Sequence, residues 1–417
     1  MGPRALFDKS FLQSLSLDEA VLFDHFFCAV IPPIFYIETL ADLEKTSRSG
    51  RAPDDEVRII AEKVPQRNSA PMLFHPAFAI RELMGMPVSM DGRMFLSGAR
   101  TVAFRGQKGM IQDPGPEHQA FHRWQSRQFL PTERSSAKSW RQKLRRVDIS
   151  TLTAGVRAFG SLQPCKTLEE VHCFALQLVN CRDHRRDLVK LALIALGSNP
   201  LTERRVFNRW RTAGEPALIE FAPYAAHILR VEAFFAIARE CGQISYDPNS
   251  RSDITYFHYA PFCNIFVSSD KLHVRSAKFF MRNDQTFVEG SQLKEALRKL
   301  VDRYSALPEE EKDKSLSIYA RTPPIDDRDC IIAKLWDGHM RRNWREPPPE
   351  LSPQLVAALE GLIEDMKAER VQIDDESDLA NVSSVEFNRY IPVHKGSFRL
   401  VPKGIAERAA GMRSEPK

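Results

Sequence analysis

The sequence predicts an α/β protein built on a central parallel sheet that is flanked by helices. Two segments, 1–45 and 251–305, alternate short apolar runs with stretches of helical spacing, which is the pattern of a parallel sheet built from strand-helix units. Helical periodicity dominates the segment between them, 46–250, so we expect a large, mostly helical insertion that interrupts the sheet domain. The last segment, 306–417, is expected to be a C-terminal helical extension and tail.

The first segment begins with two strands, each followed by a helix. Residues 5–7 form a short apolar run, and Ser16 with Glu19 forms a capping box that predicts the start of a helix. Residues 30–37 are continuously apolar and are expected to form the second strand. The spacing of apolar residues becomes helical from Glu38 onward, which predicts a second helix.

The insertion contains three clear helical stretches and one predicted hairpin. Helices are expected at 168–178, 188–196 and 217–238. Residues 88–96 carry an Asp-Gly pair at 91–92 between two arms that bear apolar residues, which is a strong short-range hairpin signal. We therefore expect one β-hairpin within an otherwise helical insertion.

The alternation of strands and helices resumes after the insertion. A helix is expected to begin at Asp253, followed by a strand at 264–270. A shorter β-prone piece at 285–288 and a helix at 291–304 come next. These elements complete the sheet domain.

The C-terminal extension contains one well-marked helix. Prolines at 347–349 indicate a linker, Ser352 is a good N-cap and Pro353 suits the first helical position. The helix has an apolar stripe, which predicts packing either on its own chain or on a second copy. A homodimer is therefore one of two interpretations of this helix.

Composition restricts where the protein works. The longest apolar run, 26–37, has twelve residues and contains two prolines, whereas a membrane-spanning helix needs about 20 apolar residues. The N-terminus lacks the basic and apolar regions of a secretory signal, so we expect a cytoplasmic protein without a membrane partner. The seven cysteines form no CxxC pair and are expected to be free thiols.

The small net charge of +5 conceals two basic tracts. Residues 123–146 contain eight Lys or Arg against one acid, and residues 182–211 contain eight against three. The first tract also carries Trp124, Phe129 and Trp140, so it mixes phosphate-binding charge with stacking faces, as single-strand binders do. The other interpretation is an amphipathic helix whose aromatic residues lie in the core.

Acidic residues stand at the ends of predicted strands or at the start of the helices beside them. Asp8 follows the first strand, and Glu38 opens the helix after the second. Asp253 begins the helix before the later strand, and Asp270 closes that strand. Because the carboxyl ends of parallel strands line one edge of a sheet, these carboxylates are expected to converge and to repel one another unless a cation neutralises them. Oxygen ligands of this kind favour Mg²⁺ or Mn²⁺, and such sites hold substrate phosphates.

The stretches around the four acids resemble a known family. They read LFDKS at 6–10, FYIETL at 35–40, DITYF at 253–257 and FVSSDK at 266–271. These stretches are similar to the four acidic motifs of the PIN-domain (PilT N-terminus) nucleases, in that family's order. The resemblance covers the two sheet-forming segments, but not the insertion or the C-terminal extension.

The resemblance implies a PIN-like fold and a particular chemistry. Carried over position by position, it assigns both metal binding and catalysis to Asp8, Glu38, Asp253 and Asp270. Members of the family use these acids to bind one or two Mg²⁺ or Mn²⁺ ions for phosphodiester cleavage, usually of RNA. The product is expected to carry a 5′-phosphate.

Four further residues are expected to bind the substrate. Ser10 falls where the family often has a small hydroxyl residue after the first acid. Arg251 and Lys271 flank two of the acids and are suited to charge-assisted hydrogen bonds with phosphates, although solvated surface cations explain them equally well. His273 is close enough in sequence to Asp270 to contact substrate, with a structural role as the alternative.

The sequence therefore predicts a metal-dependent nuclease, and more specifically an endoribonuclease. Nucleic acid, RNA rather than DNA, is the expected partner, and the basic, helical insertion is expected to select or grip it. The alternative is a non-catalytic nucleic-acid-binding or scaffold protein on a degenerate PIN-like fold, which would bind without turnover.

Overall fold

The computed structural model describes residues 1–44, 50–105, 107–145, 165–244, 250–346 and 384–411, together with isolated positions between 352 and 372. Its strands are β1 (Arg4–Phe7), β2 (Cys28–Ile31), β3 (Ser69–Pro71), β4 (Ala99–Phe104), β5 (Gln107–Gln112), β6 (Ile265–Ser268), β7 (Thr286–Glu289), β8 (Val371–Gln372), β9 (Ser384–Phe387), β10 (His394–Lys395) and β11 (Phe398–Arg399). Its helices up to the end of the helical region are α1 (Lys9–Ser14), α2 (Leu17–Phe26), α3 (Pro33–Ala41), α4 (Pro53–Lys63), α5 (His75–Leu83), α6 (Pro116–Gln125), α7 (Pro131–Arg145), α8 (Leu168–Val179), α9 (Arg185–Ala195), α10 (Pro200–Thr212), α11 (Leu218–Phe221) and α12 (Pro223–Glu240). The later helices are α13 (Ser250–Tyr259), α14 (Lys271–Phe280), α15 (Gly290–Ser305), α16 (Glu309–Lys312), α17 (Leu316–Tyr319), α18 (Ile331–His339) and α19 (Lys403–Gly411).

A five-stranded parallel sheet flanked by helices forms the centre of the protein, which confirms the α/β prediction. Its strand order is β3-β2-β1-β6-β7. In this order β2 and β3 extend the sheet on one side of β1, while β6 and β7 extend it on the other. The carboxyl ends of β1 and β6 therefore meet at a topological switch point, which is where open parallel sheets bind ligands.

Both faces of the sheet are buried, because alternate residues of each strand enter different cores. Leu6, Val30 and Phe266 belong to a core shared with the helical region. Phe7 and Val267 point into the opposite core, which α2, α4, α15 and α18 cover. Burial on both faces explains why these strands read as continuous apolar runs.

The strand predicted at 30–37 is shorter than expected. β2 ends at Ile31, and α3 begins at Pro33 with proline at its first position. A proline fits the first turn of a helix because the missing N–H has no intrahelical partner there. Glu38 consequently lies in the second turn of α3 and does not open the helix.

The segment predicted as an insertion contributes to the central sheet. β3 lies within it and pairs in parallel with β2, with Val30 opposite Ala70. The predicted helices at 168–178, 188–196 and 217–238 are present as α8, α9 and the pair α11 and α12. The segment after residue 46 therefore adds a helix, α4, and the strand β3 to the sheet domain before the longer run of helices begins.

The predicted hairpin at 88–96 is absent from the structure, and the observed hairpin follows it as β4 and β5. The carboxylate of Asp91 instead accepts hydrogen bonds from the backbone and the side chain of Arg93. The backbone N–H of Gly92 donates to the carbonyl oxygen of Pro261 at 3.0 Å. The Asp-Gly pair therefore lies in a loop that is hydrogen-bonded to the sheet domain through Gly92.

The C-terminal extension is not purely helical. After α16, α17 and α18, the strands β8 and β9 join the hairpin in a four-stranded sheet with the order β8-β4-β5-β9. β10 and β11 form a further antiparallel pair. The predicted linker at 347–349 and most of the helix expected after Ser352 lie outside the described residues. The expected dimer through that helix therefore stays a prediction.

One partly buried arginine joins the two sheets. Arg389, just after β9, donates from its guanidinium to the carbonyl oxygens of Ser69 at 2.9 Å and Gln112 at 3.1 Å. It also donates to the side-chain oxygen of Gln112. Ser69 belongs to the central sheet and Gln112 to the four-stranded sheet, so a single side chain couples the two sheets.

All seven cysteines are free thiols, as predicted. Cys28, Cys263 and Cys330 are buried, whereas Cys173 is exposed. None of the helices within the described ranges combines the length and the apolar composition that a membrane crossing requires.

A buried carboxyl group connects the sheet domain to α12. The two side-chain oxygens of Glu82 accept hydrogen bonds from the backbone N–H groups of Tyr224 and Ala225, at the start of α12, at 2.9–3.1 Å. Burial raises the pKa of Glu82 to about 7, although these N–H groups and Arg209 oppose the rise. The carboxyl group therefore binds its proton more tightly in the folded protein than in the unfolded chain.

This linkage predicts how stability depends on pH at one position. Because the folded pKa is raised, wild-type stability relative to a Glu82→Gln variant is expected to fall by about 2–3 kcal/mol as pH rises from about 4.5 to 7. Urea denaturation of both proteins at pH 5 and pH 8 measures the change. A difference that stays constant between these pH values would contradict the prediction.

Candidate active site

Asp8 lies at the carboxyl end of β1 and is almost completely buried, with 3% of its surface exposed. It is the N-cap of α1, because one carboxylate oxygen accepts the backbone N–H of Phe11 at 2.8 Å. The other oxygen accepts the hydroxyl groups of Ser10 at 2.8 Å and Ser268 at 2.6 Å. Both oxygens therefore already have donors within the protein.

His273 lies beside Asp8 and has no exposed surface. Its Nδ1 atom is 2.7 Å from the Ser268 hydroxyl and 3.6 Å from the Asp8 carboxylate. Its Nε2 atom is 2.8 Å from the backbone carbonyl oxygen of Asp253. This burial and these contacts favour the structural alternative for His273, and the expected substrate contact stays a prediction.

The pair formed by Asp8 and His273 favours opposite charges. Burial opposes ionisation of Asp8, but the hydrogen bond and charge of His273, together with donors from Ser268 and Phe11, hold its pKa below the usual range. Burial likewise opposes protonation of His273, but Asp8 and Asp253 raise its pKa to about 9. Asp8 is therefore a carboxylate, and His273 carries a proton on both nitrogens, near neutral pH.

Glu38 reaches the same region from α3. Its Oε2 atom accepts the hydroxyl group of Tyr256 at 2.7 Å. Burial raises its pKa, although Lys9 and the hydroxyl groups of Tyr256 and Ser252 moderate the effect. A partly buried carboxyl that keeps a raised pKa despite these partners is poorly neutralised by the protein itself.

Lys9 is placed close to Glu38 without being bonded to its carboxylate. Its ammonium group donates to the backbone carbonyl oxygen of Glu38 at 3.0 Å and lies 2.7 Å from the carboxylate of Asp42. Asp42, one helical turn after Glu38, is therefore neutralised by a protein cation.

Asp253 shows that the four acids share one electrostatic environment. Burial is the largest cause that raises its pKa, to about 8. The negative charges of Glu38, Asp270 and Asp8 raise it further, whereas His273 lowers it. Carboxylates affect one another in this way only when they lie near each other in a region that water screens weakly.

Asp270 is the N-cap of α14 at the carboxyl end of β6. One of its oxygens accepts the backbone N–H groups of Leu272 at 2.7 Å and His273 at 3.3 Å. Its own N–H donates to the Ser268 hydroxyl at 3.0 Å. Ser10 and Lys271 are exposed near these acids, while the side chain of Arg251 lies outside the described residues.

The four acids supply the oxygen ligands that Mg²⁺ or Mn²⁺ prefers, but in this structure their side chains are not close enough together to coordinate a metal ion. The structure brings hard oxygen donors together, and the raised pKa values of Glu38 and Asp253 indicate negative charge that a cation would neutralise. Within the described ranges, however, no group of three or more His, Cys, Asp or Glu side chains is spaced to hold a metal ion. Asp8 fits least well as a ligand, because both of its oxygens accept hydrogen bonds.

The described part of the first basic tract is largely neutralised. Arg127 pairs with Asp55 and Arg134 with Asp54, both on α4. Trp124 is buried in the core against Phe121, and the side chain of Trp140 lies outside the described residues. For Trp124 this favours the interpretation as a core aromatic over a base-stacking surface.

Sequence reasoning missed three residues that shape the site. Ser268 bridges Asp8 and His273, while Tyr256 and Ser252 donate to Glu38. Tyr256 follows Asp253 by three residues, a spacing that places both on one face of a helix. Ser268 occupies the last position of a strand that the sequence did predict, so its position at the sheet edge could have been inferred.

No protein-family model, no curated protein and no solved structure matches this chain. The function of the protein is therefore inferred from the geometry of the site together with the motif resemblance.

Proposed function

We propose that this protein is a metal-dependent endoribonuclease with a PIN-like catalytic domain, which hydrolyses phosphodiester bonds and leaves 5′-phosphate ends. The observation that supports this proposal is the electrostatic coupling of four acids near the switch point of a parallel sheet: burial raises the pKa of Asp253 to about 8, and the charges of Glu38, Asp270 and Asp8 raise it further. Four acids from segments far apart in the sequence are a costly arrangement for stability, which suggests a function for them. The choice of RNA comes from the motif resemblance alone.

Each residue has a proposed role in this site. Glu38, Asp253 and Asp270 are the acids that would hold Mg²⁺ or Mn²⁺. The bound cation would supply Lewis acidity and a lowered pKa for an attacking water. Asp8 anchors the crevice between β1 and β6, and its carboxylate adds negative charge that favours a cation. Lys271, which is exposed beside Asp270, is suited to contact a substrate phosphate.

A cleavage assay with divalent metals tests the proposal. Single-stranded RNA and DNA of the same sequence are incubated with the protein in Mg²⁺, in Mn²⁺ and in EDTA. We expect RNA cleavage with either metal, none in EDTA, and products that can be ligated through a 5′-phosphate. Asp8→Asn and Asp270→Asn are expected to reduce the rate by about 100-fold or more, because each removes a charge from the site.

These substitutions allow a clean control. Both residues are helix N-caps, and asparagine also caps helices well, so folding is expected to persist. Asp302→Asn, on the exposed face of α15, makes the same chemical change outside the site and should leave cleavage unchanged. Full metal-dependent activity in both site variants would refute the site, and cleavage that resists EDTA would refute the metal requirement.

A non-catalytic RNA-binding protein is the second candidate, and one observation favours it. The Asp8 carboxylate is saturated by Ser10, Ser268 and Phe11, so the site is at least partly satisfied without a cation. This candidate predicts RNA binding that weakens with salt, no turnover in any metal, and no change in binding for Asp8→Asn.

A further inference from the structure

We propose that His273 is a positioning residue that holds the acid-bearing segments of the site in register. The inference rests on the proposed function for its catalytic consequence, but the positional role can be tested without activity. It assigns to His273 a task inside the protein, in place of substrate binding.

Both nitrogens of the His273 ring are used, and they face different segments of the chain. Nδ1 contacts the Ser268 hydroxyl at the end of β6, which in turn bonds the Asp8 carboxylate at the end of β1. Nε2 contacts the backbone carbonyl oxygen of Asp253 on α13. One imidazole therefore links the segments that carry Asp8, Asp253 and Asp270, the last being the N-cap of its own helix.

The ring has little freedom to leave this position. The aromatic rings of Phe266, Phe257 and Tyr256 lie around it, with ring centroids 5.0, 5.2 and 5.7 Å away. A planar side chain with two polar ring atoms fits this position, because the ring packs against aromatic neighbours in edge-to-face and tilted arrangements while its two nitrogens meet polar groups. Tyr256 also donates to Glu38, so the packing around His273 reaches the fourth acid as well.

Two amide variants separate the two contacts of the ring. Asparagine places a polar atom near the position of Nδ1 and can keep the contact with Ser268, but it does not reach the Asp253 carbonyl. Glutamine places a polar atom near the position of Nε2 and can keep the Asp253 contact, but it loses Ser268. If the link between segments matters, His273→Asn and His273→Gln are both impaired although each retains one hydrogen bond.

The experiment measures kinetics, metal binding and structure for these two variants. We expect kcat for RNA cleavage to fall by about 10–100-fold with KM within about threefold of wild type, and Mn²⁺ affinity measured by calorimetry to fall by a similar factor. Crystal structures of wild type and the two variants should show the carboxylate of Asp253 displaced relative to that of Asp8.

His227→Gln is the matched control. His227 is also buried, and its Nε2 atom contacts the backbone carbonyl oxygen of Phe257, on the same helix as Asp253. This substitution is expected to lower the melting temperature without changing kcat. Loss of activity that merely follows loss of stability would appear in the control as well, and would overturn a specific role for His273.

The outcomes for His273 and for the proposed function can be told apart. Wild-type protein that neither cleaves RNA nor binds Mn²⁺ refutes the nuclease, and the crystal structures then decide the positional role alone. Variants with unchanged kcat, unchanged Mn²⁺ affinity and unmoved carboxylates overturn the inference while leaving the nuclease intact.

Discussion

Replacing Asp253 by asparagine is expected to reduce RNA cleavage by about 100-fold or more while leaving the protein at least as stable as the wild type at pH 8. Most substitutions that remove a buried hydrogen-bonding group cost stability. Asp253 is expected to differ because its carboxylate is buried among other acids, and that burial raises its pKa to about 8. Asparagine retains the size of the side chain and removes the charge.

The sign of the stability effect follows from proton binding. The folded pKa of Asp253 is raised above its unfolded value, so the folded protein holds this proton over a pH range in which the unfolded chain releases it. The contribution of the Asp253 carboxyl to the free energy of unfolding, measured relative to Asp253→Asn, is therefore largest below about pH 4 and decreases as pH rises toward 8. We expect the loss to be roughly 4–5 kcal/mol over that window.

Denaturant titrations at pH 5 and pH 8, combined with the cleavage assay, check both halves of this prediction. Asp302→Asn serves again as the exposed control, and should change neither stability nor turnover. A variant that loses both activity and stability at pH 8 would show that Asp253 is a structural residue. A variant that keeps full activity would remove Asp253 from the site.

The second large effect is expected where Arg389 joins the two sheets. Arg389→Met removes a donor to the carbonyl oxygen of Ser69 and a donor to the side-chain oxygen of Gln112, both in buried residues, whereas the Gln112 carbonyl keeps the backbone N–H of Asn388. A buried acceptor left without a donor costs about 1–3 kcal/mol. We expect a destabilisation of roughly 2–4 kcal/mol and faster amide exchange in β3 and β5, because these two strands lose their common partner.

Two further variants test whether the destabilisation comes from the specific hydrogen bonds of the Arg389 guanidinium group. Arg389→Lys is expected to recover little stability, since a single ammonium group does not reproduce the planar fork that reaches both strands. Arg303→Met removes an exposed pair with Asp326 and should cost less than about 0.5 kcal/mol. If Arg389→Met unfolds at the same denaturant concentration as wild type, the two sheets are coupled by other contacts.

Some of the fold could be predicted from the sequence because local signals agreed with the tertiary structure. The apolar run at 5–7 and the capping box of Ser16 and Glu19 produced β1 and α2 as expected. Asp8 and Asp270 end strands and cap the following helices, and both features are local in sequence. Their proximity followed from the general geometry of parallel sheets.

Other features depended on contacts that no local pattern records. β3 consists of Ser69, Ala70 and Pro71, which carry little strand preference, and it is a strand because β2 offers a paired edge. The continuous apolar run at 30–37 concealed a change from strand to helix at Pro33. His273 contacts the backbone carbonyl oxygen of Asp253, which is twenty residues away in the sequence. The pattern of side chains along the sequence could not reveal this contact, because the acceptor is a backbone atom.

The strand order of the central sheet determines how late in protein synthesis the site can form. β1 can pair with β2 as soon as the first 31 residues are made, but its other neighbour, β6, begins at Ile265. A ribosome that adds about 5–20 residues per second takes roughly 12–50 s to cover that interval. Throughout it, Asp8 lacks Ser268 and His273. A nascent chain, or a fragment cut within the helical region, therefore carries two of the four acids and no crevice, and the proposed site can form only after residue 270 of the 417 has been made.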